Sequence, residues 1–471
     1  MSQEDSQLYY PHQASFRDPS GFIFSHKGKV YRQVNKRYSV HYDHMMKSGL
    51  YKTLQEKNWL VAHEEVDIRS QSTDAYKVLL PIQIQFTSYP YEWSFSQLKD
   101  AALRTLDIQK LSLEYGMCLK DASAYNIQFE DGIPILIDTL SLELYEEGRP
   151  WVAYRQFCQH FLAPLALMAK TDIRLSQLLK IHIDGIPLDL ASGLLPKRSW
   201  LNFRLLMHLH FQAKMQKAYS STDDGGRNGS PRTSKLSKNG LIGIINSLRN
   251  SIQKLDWKPA GTEWAQYYQD TNYSDSSFDN KSRIVASFLK IVSPGVVWDL
   301  GANTGYFTRL ANQLGAAAIA FDVDPAAVEI NYRLLKEKKE KYPLPLLMDL
   351  TNPTPGLGWS CTERDPLIKR GPADCVMALA LIHHLAISNN VPFERIAEFF
   401  SLLGKTLIIE FVPKSDSQVQ RLLQSRNDIF DLYSKDHFEK SFNAYFSIVR
   451  IENVAGSERT LYLMERIARK Q

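Results

Sequence analysis

Apolar and polar positions follow one regular pattern in the C-terminal half of the chain. From residue 282 onward, helix-spaced apolar positions alternate with short, continuous apolar runs. The pattern predicts helices and strands in the order helix 284–292, strand 296–298, helix 306–314, strand 317–321, helix 325–339, strand 344–348, strand 374–381, strand 406–411 and a hairpin over 447–454 and 460–464. Apolar strands alternating with helices are typical of parallel sheets covered on both faces. We therefore predict a doubly wound, mostly parallel α/β sheet that ends in an antiparallel hairpin.

The N-terminal half mixes the two periodicities less regularly. A hairpin is predicted over 22–34 with its turn at Lys27-Gly28, and two short strands over 127–129 and 133–137. Helical spacing marks residues 95–115 and 200–215, which together with the strands predicts an α+β domain over residues 1–218.

A low-complexity segment separates the two halves. Residues 219–240 are mostly Ser, Gly, Asp, Asn and Lys, a composition with too little apolar surface to offset the entropy of ordering. We predict a flexible linker there, followed by a second domain over 241–471 that opens with an amphipathic helix, 241–255.

Composition narrows the class of protein. The 471 residues are 44% hydrophobic and 23% charged, as in ordinary globular chains, and the net charge of +5 neither indicates nor excludes a nucleic-acid partner. The four cysteines form no C-x-x-C pair, which favours a reducing compartment. The N-terminus does not resemble a secretory signal, and no apolar run reaches the roughly 18 residues that span a bilayer. We expect a soluble, cytoplasmic protein without membrane contact; the sequence does not determine its oligomeric state.

A glycine-containing loop follows the first predicted strand of the C-terminal half. It runs from Asp299 through Gly301, Asn303 and Gly305 to Tyr306, which starts the next helix. Glycines permit a ligand to approach the backbone closely, and the free N–H groups of the helix start face that ligand. The loop therefore predicts a nucleotide-like ligand.

Two further acids follow the next two strands. Asp322 lies about 20 residues beyond the loop, where a carboxylate can accept hydrogen bonds from ribose hydroxyls. Asp349 follows the third strand, where a side chain can reach an adenine amino group. Because the carboxyl ends of parallel strands share one edge of the sheet, these acids and Asp299 are predicted to face one crevice.

Residues 282–466 resemble the class I, Rossmann-like methyltransferases. Asp299, Gly301 and Gly305 match the first motif of that family, with Asn303 in place of a middle glycine, and the final hairpin matches its last two strands. The resemblance implies S-adenosylmethionine as cofactor, with Asp322 as the ribose-binding acid and Asp349 on the adenine side. It leaves the methyl acceptor open. A nicotinamide dinucleotide fold is the alternative, although the usual G-x-G-x-x-G spacing is absent.

Three residues are candidates for catalysis. His383 and His384 follow the fourth strand at the rim where the acceptor is expected, and Glu410 ends the fifth strand. A histidine there could deprotonate a hydroxyl or orient the substrate, and the alternative for all three residues is a structural role. Two adjacent histidines do not make a metal site without further ligands, so no metal is predicted.

An aromatic-rich segment precedes the first C-terminal helix. Residues 262–283 include Tyr267, Tyr268, Tyr273 and Lys281. The methyltransferase resemblance implies a lid over the cofactor, whereas simple packing is the alternative for aromatic residues at this density.

The N-terminal half carries a second constellation. Asp121 is followed five residues later by Asn126, and Asp138 comes twelve residues further on. This spacing resembles the catalytic loop and metal-binding acid of protein kinases and aminoglycoside phosphotransferases, but a glycine-rich loop and a V-A-I-K lysine are missing. A structural role for the three residues is the alternative.

Together the two halves resemble a bacterial family of methyltransferases that includes nodulation-associated proteins. The resemblance implies methyl transfer to a small or glycan-like molecule, with the N-terminal half in a substrate-holding or accessory role. Two other hypotheses remain: a kinase-like phosphotransferase or nucleotide-sensing module with the C-terminal domain as regulator, and a non-catalytic binding protein that produces no S-adenosylhomocysteine.

Overall fold

The computed structural model of the chain describes residues 11–68, 72–214, 236–259, 275–424 and 427–468. Its contacts divide the chain into two compact units. Unit 1 consists of residues 1–258 together with 357–364, and unit 2 consists of residues 259–356 and 365–471. The short segment 357–364 therefore lies in unit 1 although the chain on both sides of it lies in unit 2.

Unit 1 begins with a small antiparallel sheet. Its four strands are Gly21–His26, Lys29–Asn35, Ala75–Pro81 and His63–Glu65, in that spatial order. The first two form the predicted hairpin, with His26 opposite Lys29 and positive φ angles at Lys27 and Gly28. Two smaller strand pairs follow: Ile127–Glu130 with Ile133–Leu136, and Met117–Leu119 with Leu142–Leu144.

Helices make up most of the rest of unit 1. The α-helices and π-helical turns of the described chain there are Ser39–Lys47, Leu50–Glu56, Phe95–Glu114, Tyr154–Phe157, Cys158–Leu162, Ala163–Lys170, Leu178–Ile181, Leu188–Leu194, Phe203–Leu205, Leu206–His210 and Lys238–Gln253. Strands and helices together confirm the predicted α+β character. They do not by themselves identify a kinase-like fold, which stays a prediction.

The helix Lys238–Gln253 lies in unit 1, whereas the sequence order predicts it as the start of the second domain. Its buried residues Leu241, Ile245, Leu248 and Ile252 form one apolar stripe, and the helix packs against Phe95–Glu114. Lys99 also donates to the carbonyl oxygens of Gln253 and Leu255. An amphipathic pattern reveals that a helix has a buried face but not which neighbour covers it. The predicted linker falls largely on residues 219–235, outside the described residues.

Unit 2 is built on a seven-stranded sheet. Its strands are β1 (Val296–Leu300), β2 (Ala317–Asp322), β3 (Leu344–Leu347), β4 (Ala373–Ala378), β5 (Gly404–Phe411), β6 (Phe446–Asn453) and β7 (Thr460–Arg466). The spatial order is β3-β2-β1-β4-β5-β7-β6, and β1 to β5 are mutually parallel. β7 is antiparallel to both β5 and β6, as the predicted terminal hairpin requires.

Helices connect consecutive parallel strands except β3 and β4, between which the chain forms 3-10 turns. The α-helices of the described part of unit 2 are α1 (Asp275–Val292), α2 (Tyr306–Gln313), α3 (Pro325–Lys338), α4 (Phe393–Leu403), α5 (Ser417–Leu423) and α6 (Lys435–Phe442), and a π-helical turn covers His384–Ser388. α3 begins as its sequence predicts, with Asp324 accepting from the Ala326 N–H and Pro325 at the first helical position. The predicted α/β sheet with its terminal hairpin is thus confirmed.

One face of the sheet is covered by α1. Val285, Phe288 and Leu289 of this helix belong to the same buried cluster as Val297 of β1 and Met377 of β4. This layer fixes the central strands, whose carboxyl ends carry the predicted site. Within the described residues of both units, no helix combines the length and apolar character needed to cross a membrane.

The fourth strand is shorter than predicted. The apolar run predicts a strand over 374–381, but β4 ends at Ala378 and Ala380 takes a positive φ of 51°. A hydrophobic run predicts that residues are buried, not that they form a strand. Here the burial extends beyond the end of the strand, since Leu379 is only 7% exposed.

Candidate functional site

The glycine loop joins the end of β1 to the start of α2. Gly301 and Ala302 both donate their N–H groups to the carbonyl oxygen of Phe321, at 2.8 and 2.9 Å, which ties the loop to the end of β2. Gly301 and Gly305 have φ angles of +73° and +82°, a region that favours glycine. A Cβ on Gly305 would also lie 2.5 Å from Nδ2 of Asn331. Both glycines are therefore required by the shape of the loop.

Asn303 occupies the middle of the loop in a left-handed conformation, with φ of +50°. Asparagine tolerates this region better than most residues. Its Oδ1 accepts from the Thr304 N–H at 2.8 Å, so the side chain stabilises the turn locally. This local hydrogen bond explains how asparagine fits at a left-handed position of the loop.

Asp299 is a buried residue of β1 that is hydrogen-bonded to the helix after the loop. It is 2% exposed, and its Oδ2 accepts from Oγ1 of Thr308 in α2 at 2.6 Å. Burial raises the pKa of its carboxyl to about 7. Asp299 therefore links the end of β1 to α2, on the two sides of the loop.

Asp322 ends β2 with both carboxylate oxygens oriented by the backbone. Oδ2 accepts from the Asn303 N–H at 2.7 Å, and Oδ1 accepts from the Asp324 N–H at 2.9 Å. Burial raises the pKa of this carboxyl to about 6, although the two backbone hydrogen bonds lower it. Each oxygen retains a lone pair for a further donor.

A cavity of about 370 Å³ lies at the carboxyl ends of the central strands. Five of the predicted site residues line it: Gly301, Asn303, Asp322, Asp349 and His384. The order of the strands reverses between β1 and β4, and ligands of open α/β sheets bind outside the strand ends at such a point. The structure therefore brings the loop, the second and third acids and one histidine to a single crevice.

The other predicted residues lie outside this lining. Asp299 and Gly305 support the loop, while Tyr306 is 42% exposed and packs its ring on Phe278, with ring centroids 4.7 Å apart. His383 and Glu410 are buried, at 1% and 0% exposure.

The two histidines share one contact but differ in surroundings. Their ring centroids are 4.1 Å apart, and only His384 lines the cavity. Neither ring nitrogen of His383 has a hydrogen-bond partner among the described residues. Burial lowers the pKa of His383 well below its usual range and that of His384 to about 4, so both rings are neutral near pH 7.

Glu410 and Lys281 form an ion pair in the interior of unit 2. Nζ of Lys281 donates to Oε2 of Glu410 at 2.6 Å, and the two side chains are 4% and 0% exposed. Lys281 lies on α1, so the end of the predicted lid segment is part of a helix. Tyr267, Tyr268 and Tyr273 lie outside the described residues.

The three polar residues of the N-terminal constellation meet in unit 1. Asn126 donates to Oγ of Ser141 at 3.1 Å, and Ser141 in turn donates to Asp138. Asp121 accepts from the Ser123 N–H at 2.9 Å. Asp138 also forms an ion pair with Arg32. Asn126 and Asp138 are thus linked through Ser141, and the proposed metal or nucleotide role of the constellation stays a prediction.

Several cavity residues carried no sequence signal of their own. Most are apolar, and they lie just after β2, β3 or β4, in or beside the π-helical turn, or on α5: Val323, Met348, Leu350, Thr351, Leu379, Ala380, Leu381, Leu385, Ser388, Asn389 and Leu422. For those that directly follow a strand, that position was the available clue.

Within the described ranges, no group of three or more His, Cys, Asp or Glu residues is placed to hold a metal ion.

Comparison with solved structures gives matches that cover less than half of this chain at low identity. Magnesium protoporphyrin IX methyltransferase (ChlM) from Synechocystis PCC 6803 is 19% identical, with 43% of this chain and 92% of that chain covered and a TM-score of 0.31. The PH0226 protein from Pyrococcus horikoshii OT3 is 16% identical, with 44% and 100% covered and a TM-score of 0.29. The fold assignment rests on the strand order of the chain itself.

Comparison by sequence reaches the whole chain. A search of protein-family profiles gave no match. The nodulation protein NoeA of Rhizobium meliloti (strain 1021) is 35% identical over 459 residues, which cover 96% of this chain and 95% of NoeA. With such identity along nearly the full length of both chains, this protein belongs to the family of the nodulation protein NoeA.

Proposed function

We propose that unit 2 is an S-adenosylmethionine-dependent methyltransferase. The observation that carries the proposal is the carboxylate of Asp322, which is oriented by two backbone N–H groups at the edge of the cavity that Gly301 also lines. A fixed acid at the end of the second strand beside a glycine turn suits a ribose next to a nucleotide-like ligand.

The residues present fit this cofactor. The ribose hydroxyls would be held by Asp322, and Asp349 and its neighbours Met348 and Leu350 would hold the adenine. Asp349 is oriented by Thr351, whose N–H and hydroxyl both donate to its Oδ1, at 2.8 and 2.6 Å. The volume of about 370 Å³ lies within the range of small-molecule sites.

The chemistry requires little beyond positioning and the removal of one proton. When bound, the cofactor supplies an electrophilic methyl group, which bonds to the acceptor atom while the sulfur leaves with the bonding electron pair. His384, neutral and on the cavity wall, can accept a hydrogen bond from an acceptor hydroxyl and orient its lone pair. A water molecule would then take the proton that the acceptor oxygen loses.

We further propose a small or glycan-like acceptor, with unit 1 in a substrate-holding or accessory role. The name of the NoeA relative refers to nodulation. Asn126 and Asp138 are occupied by hydrogen bonds to Ser141, which favours a role of unit 1 in holding the substrate over phosphotransfer. Production of S-adenosylhomocysteine with oligosaccharide or small-molecule pools distinguishes this enzyme from a binding protein, which would give none.

The cofactor site is tested by calorimetric titration with S-adenosylmethionine and S-adenosylhomocysteine. We expect binding of both, and its loss in Gly301→Arg, because the new side chain would enter the cavity. The matched control is Gly315→Arg: Gly315 also has a positive φ, +95°, but a Cβ there meets nothing within 4 Å. Both variants thus carry similar backbone strain. Unchanged binding in a folded Gly301→Arg protein would contradict the assignment.

A further inference from the structure

Glu410 contacts three separate parts of unit 2 through one carboxylate. Its Oε2 accepts from Nζ of Lys281 in α1 at 2.6 Å and from the Ala380 N–H beyond β4 at 2.7 Å. Its Oε1 lies 3.8 Å from Nη1 of Arg459, in the connection between β6 and β7. The carboxylate therefore joins the first helix, the cavity wall and the terminal hairpin.

The cations around Glu410 are themselves fixed. Arg459 is 2% exposed and forms two hydrogen bonds with Asp416, at 2.7 and 3.1 Å. Nζ of Lys281 also lies 5.1 Å from the centre of the Phe307 ring. A buried carboxylate is stable only when it is paired, and one paired in this way is unavailable as a base for a substrate proton.

The segment that Glu410 holds is part of the cavity. Leu379, Ala380 and Leu381 line it, and Ala380 has a φ of +51°, which is unfavourable for a residue with a Cβ. A side chain of Leu381 approaches the Cα of Gly301 closely enough that a Cβ there would lie 3.3 Å from it. The hydrogen bond from the Ala380 N–H thus stabilises a strained turn that packs against the glycine loop.

We infer that Glu410 is a positioning residue: it fixes the Leu379–Leu381 wall of the cofactor cavity through the Ala380 N–H, with Lys281 and Arg459 balancing its charge. The role of Glu410 rests on the proposed function, because the wall that it fixes belongs to the proposed cofactor cavity. The sequence alone offers Glu410 as a catalytic candidate, and its surroundings assign it this different role.

The first test is amide hydrogen exchange in the full-length protein without cofactor. We expect Glu410→Gln, which removes the charge at constant size, to speed exchange at residues 379–385 roughly tenfold. The control is Glu329→Gln, because Glu329 is another buried glutamate paired with a cation, Arg333, at 2.6 Å on α3. Exchange at 379–385 that stays within twofold of wild type, or that rises equally in the control, overturns the inference.

A rescue variant separates positioning from general destabilisation. Adding Ala380→Gly to Glu410→Gln relieves the left-handed strain, so we expect it to recover part of the affinity for S-adenosylhomocysteine that Glu410→Gln loses, about tenfold. If Glu410→Gln does not fold, Lys281→Met takes its place in both experiments, since it leaves the carboxylate but removes the nearer of its two cations.

The two proposals fail separately. Wild-type protein that binds neither S-adenosylmethionine nor S-adenosylhomocysteine contradicts the proposed function, while the exchange experiment still decides whether Glu410 holds the wall. Wild-type binding together with unchanged affinity and exchange in Glu410→Gln overturns the inference alone.

Discussion

The carboxylate of Asp322 combines burial with two backbone hydrogen bonds. Burial alone favours the neutral acid, whereas the N–H groups of Asn303 and Asp324 favour the charged form. The balance leaves the pKa at about 6, close to neutral pH. The protonation state of one residue can therefore control what the cavity binds.

We predict that cofactor affinity depends on pH through Asp322. As pH falls through about 6 its carboxyl gains a proton and loses acceptor capacity for ribose hydroxyls. The affinity for S-adenosylhomocysteine should then weaken by about tenfold between pH 7 and pH 5. Calorimetric titration across this range measures it, and Asp322→Asn should flatten the profile, whereas Asp349→Asn should not. An unchanged profile in Asp322→Asn would rule out this residue as the source.

The raised pKa of Asp322 affects the stability of the protein in the opposite direction to its effect on cofactor affinity. The pKa of Asp322 is raised from 3.8 to about 6, so the native state holds more protons than the unfolded chain between these values. Its contribution to the free energy of unfolding therefore falls as pH rises through this window. The conditions that favour cofactor binding are those in which the empty site is less stable.

Among helices and strands, the spacing of apolar residues predicts where a helix forms better than it predicts which neighbour covers the helix. The stripe Leu241, Ile245, Leu248 and Ile252 marks a buried face, and the structure shows that the helix Phe95–Glu114 covers it. The end of β4 shows that an apolar run can also extend past the end of a strand. The run continues beyond Ala378, but the backbone turns at Ala380, whose N–H is hydrogen-bonded to Glu410.

We predict that Leu248→Ala destabilises unit 1 by about 2–4 kcal/mol, the usual cost of truncating a fully buried leucine. Asn246→Ala, at an exposed position of the same helix, should change stability by less than about 0.5 kcal/mol. Differential scanning calorimetry of both variants checks this. Affinity for S-adenosylhomocysteine should be unchanged, and equal effects of the two substitutions would contradict the packing described for this helix.

At the scale of the whole molecule, segment 357–364 is the unusual feature. It lies between β3 and β4 in the chain but belongs to unit 1. Glu363 forms an ion pair with Arg17, at 2.5 Å, and the Arg364 guanidinium lies 4.1 Å from the centre of the Tyr125 ring. Tyr125 directly precedes Asn126, so the segment is anchored beside the N-terminal constellation.

We predict that replacing residues 357–364 by eight Gly and Ser residues lowers the stability of unit 1, by roughly 1–3 kcal/mol for the lost ion pair and cation–π contact. The affinity of unit 2 for S-adenosylhomocysteine should stay within about twofold, because none of these residues lines the cavity. Calorimetry of unfolding and of binding measures the two effects. A large loss of cofactor affinity would instead tie the segment to the methyltransferase site.

Patterns along the chain suffice to predict the sheet of unit 2, its terminal hairpin and the loop from Asp299 to Gly305. These features depend on local signals: apolar runs of strand length, glycines where φ is positive, and an acid at a strand end. Such signals lie within a few residues of one another, and so they can be read along the chain.

The roles of Glu410, Lys281 and the helix Lys238–Gln253 become visible only in the folded protein. Arg459 and Lys281 are far from Glu410 in sequence, and the three side chains meet only because the fold brings α1, β5 and the β6–β7 connection together. The same applies to Arg32 and Asp138, and to segment 357–364. Burial and charge pairing depend on which elements meet, and that choice is made by packing between distant parts of the chain.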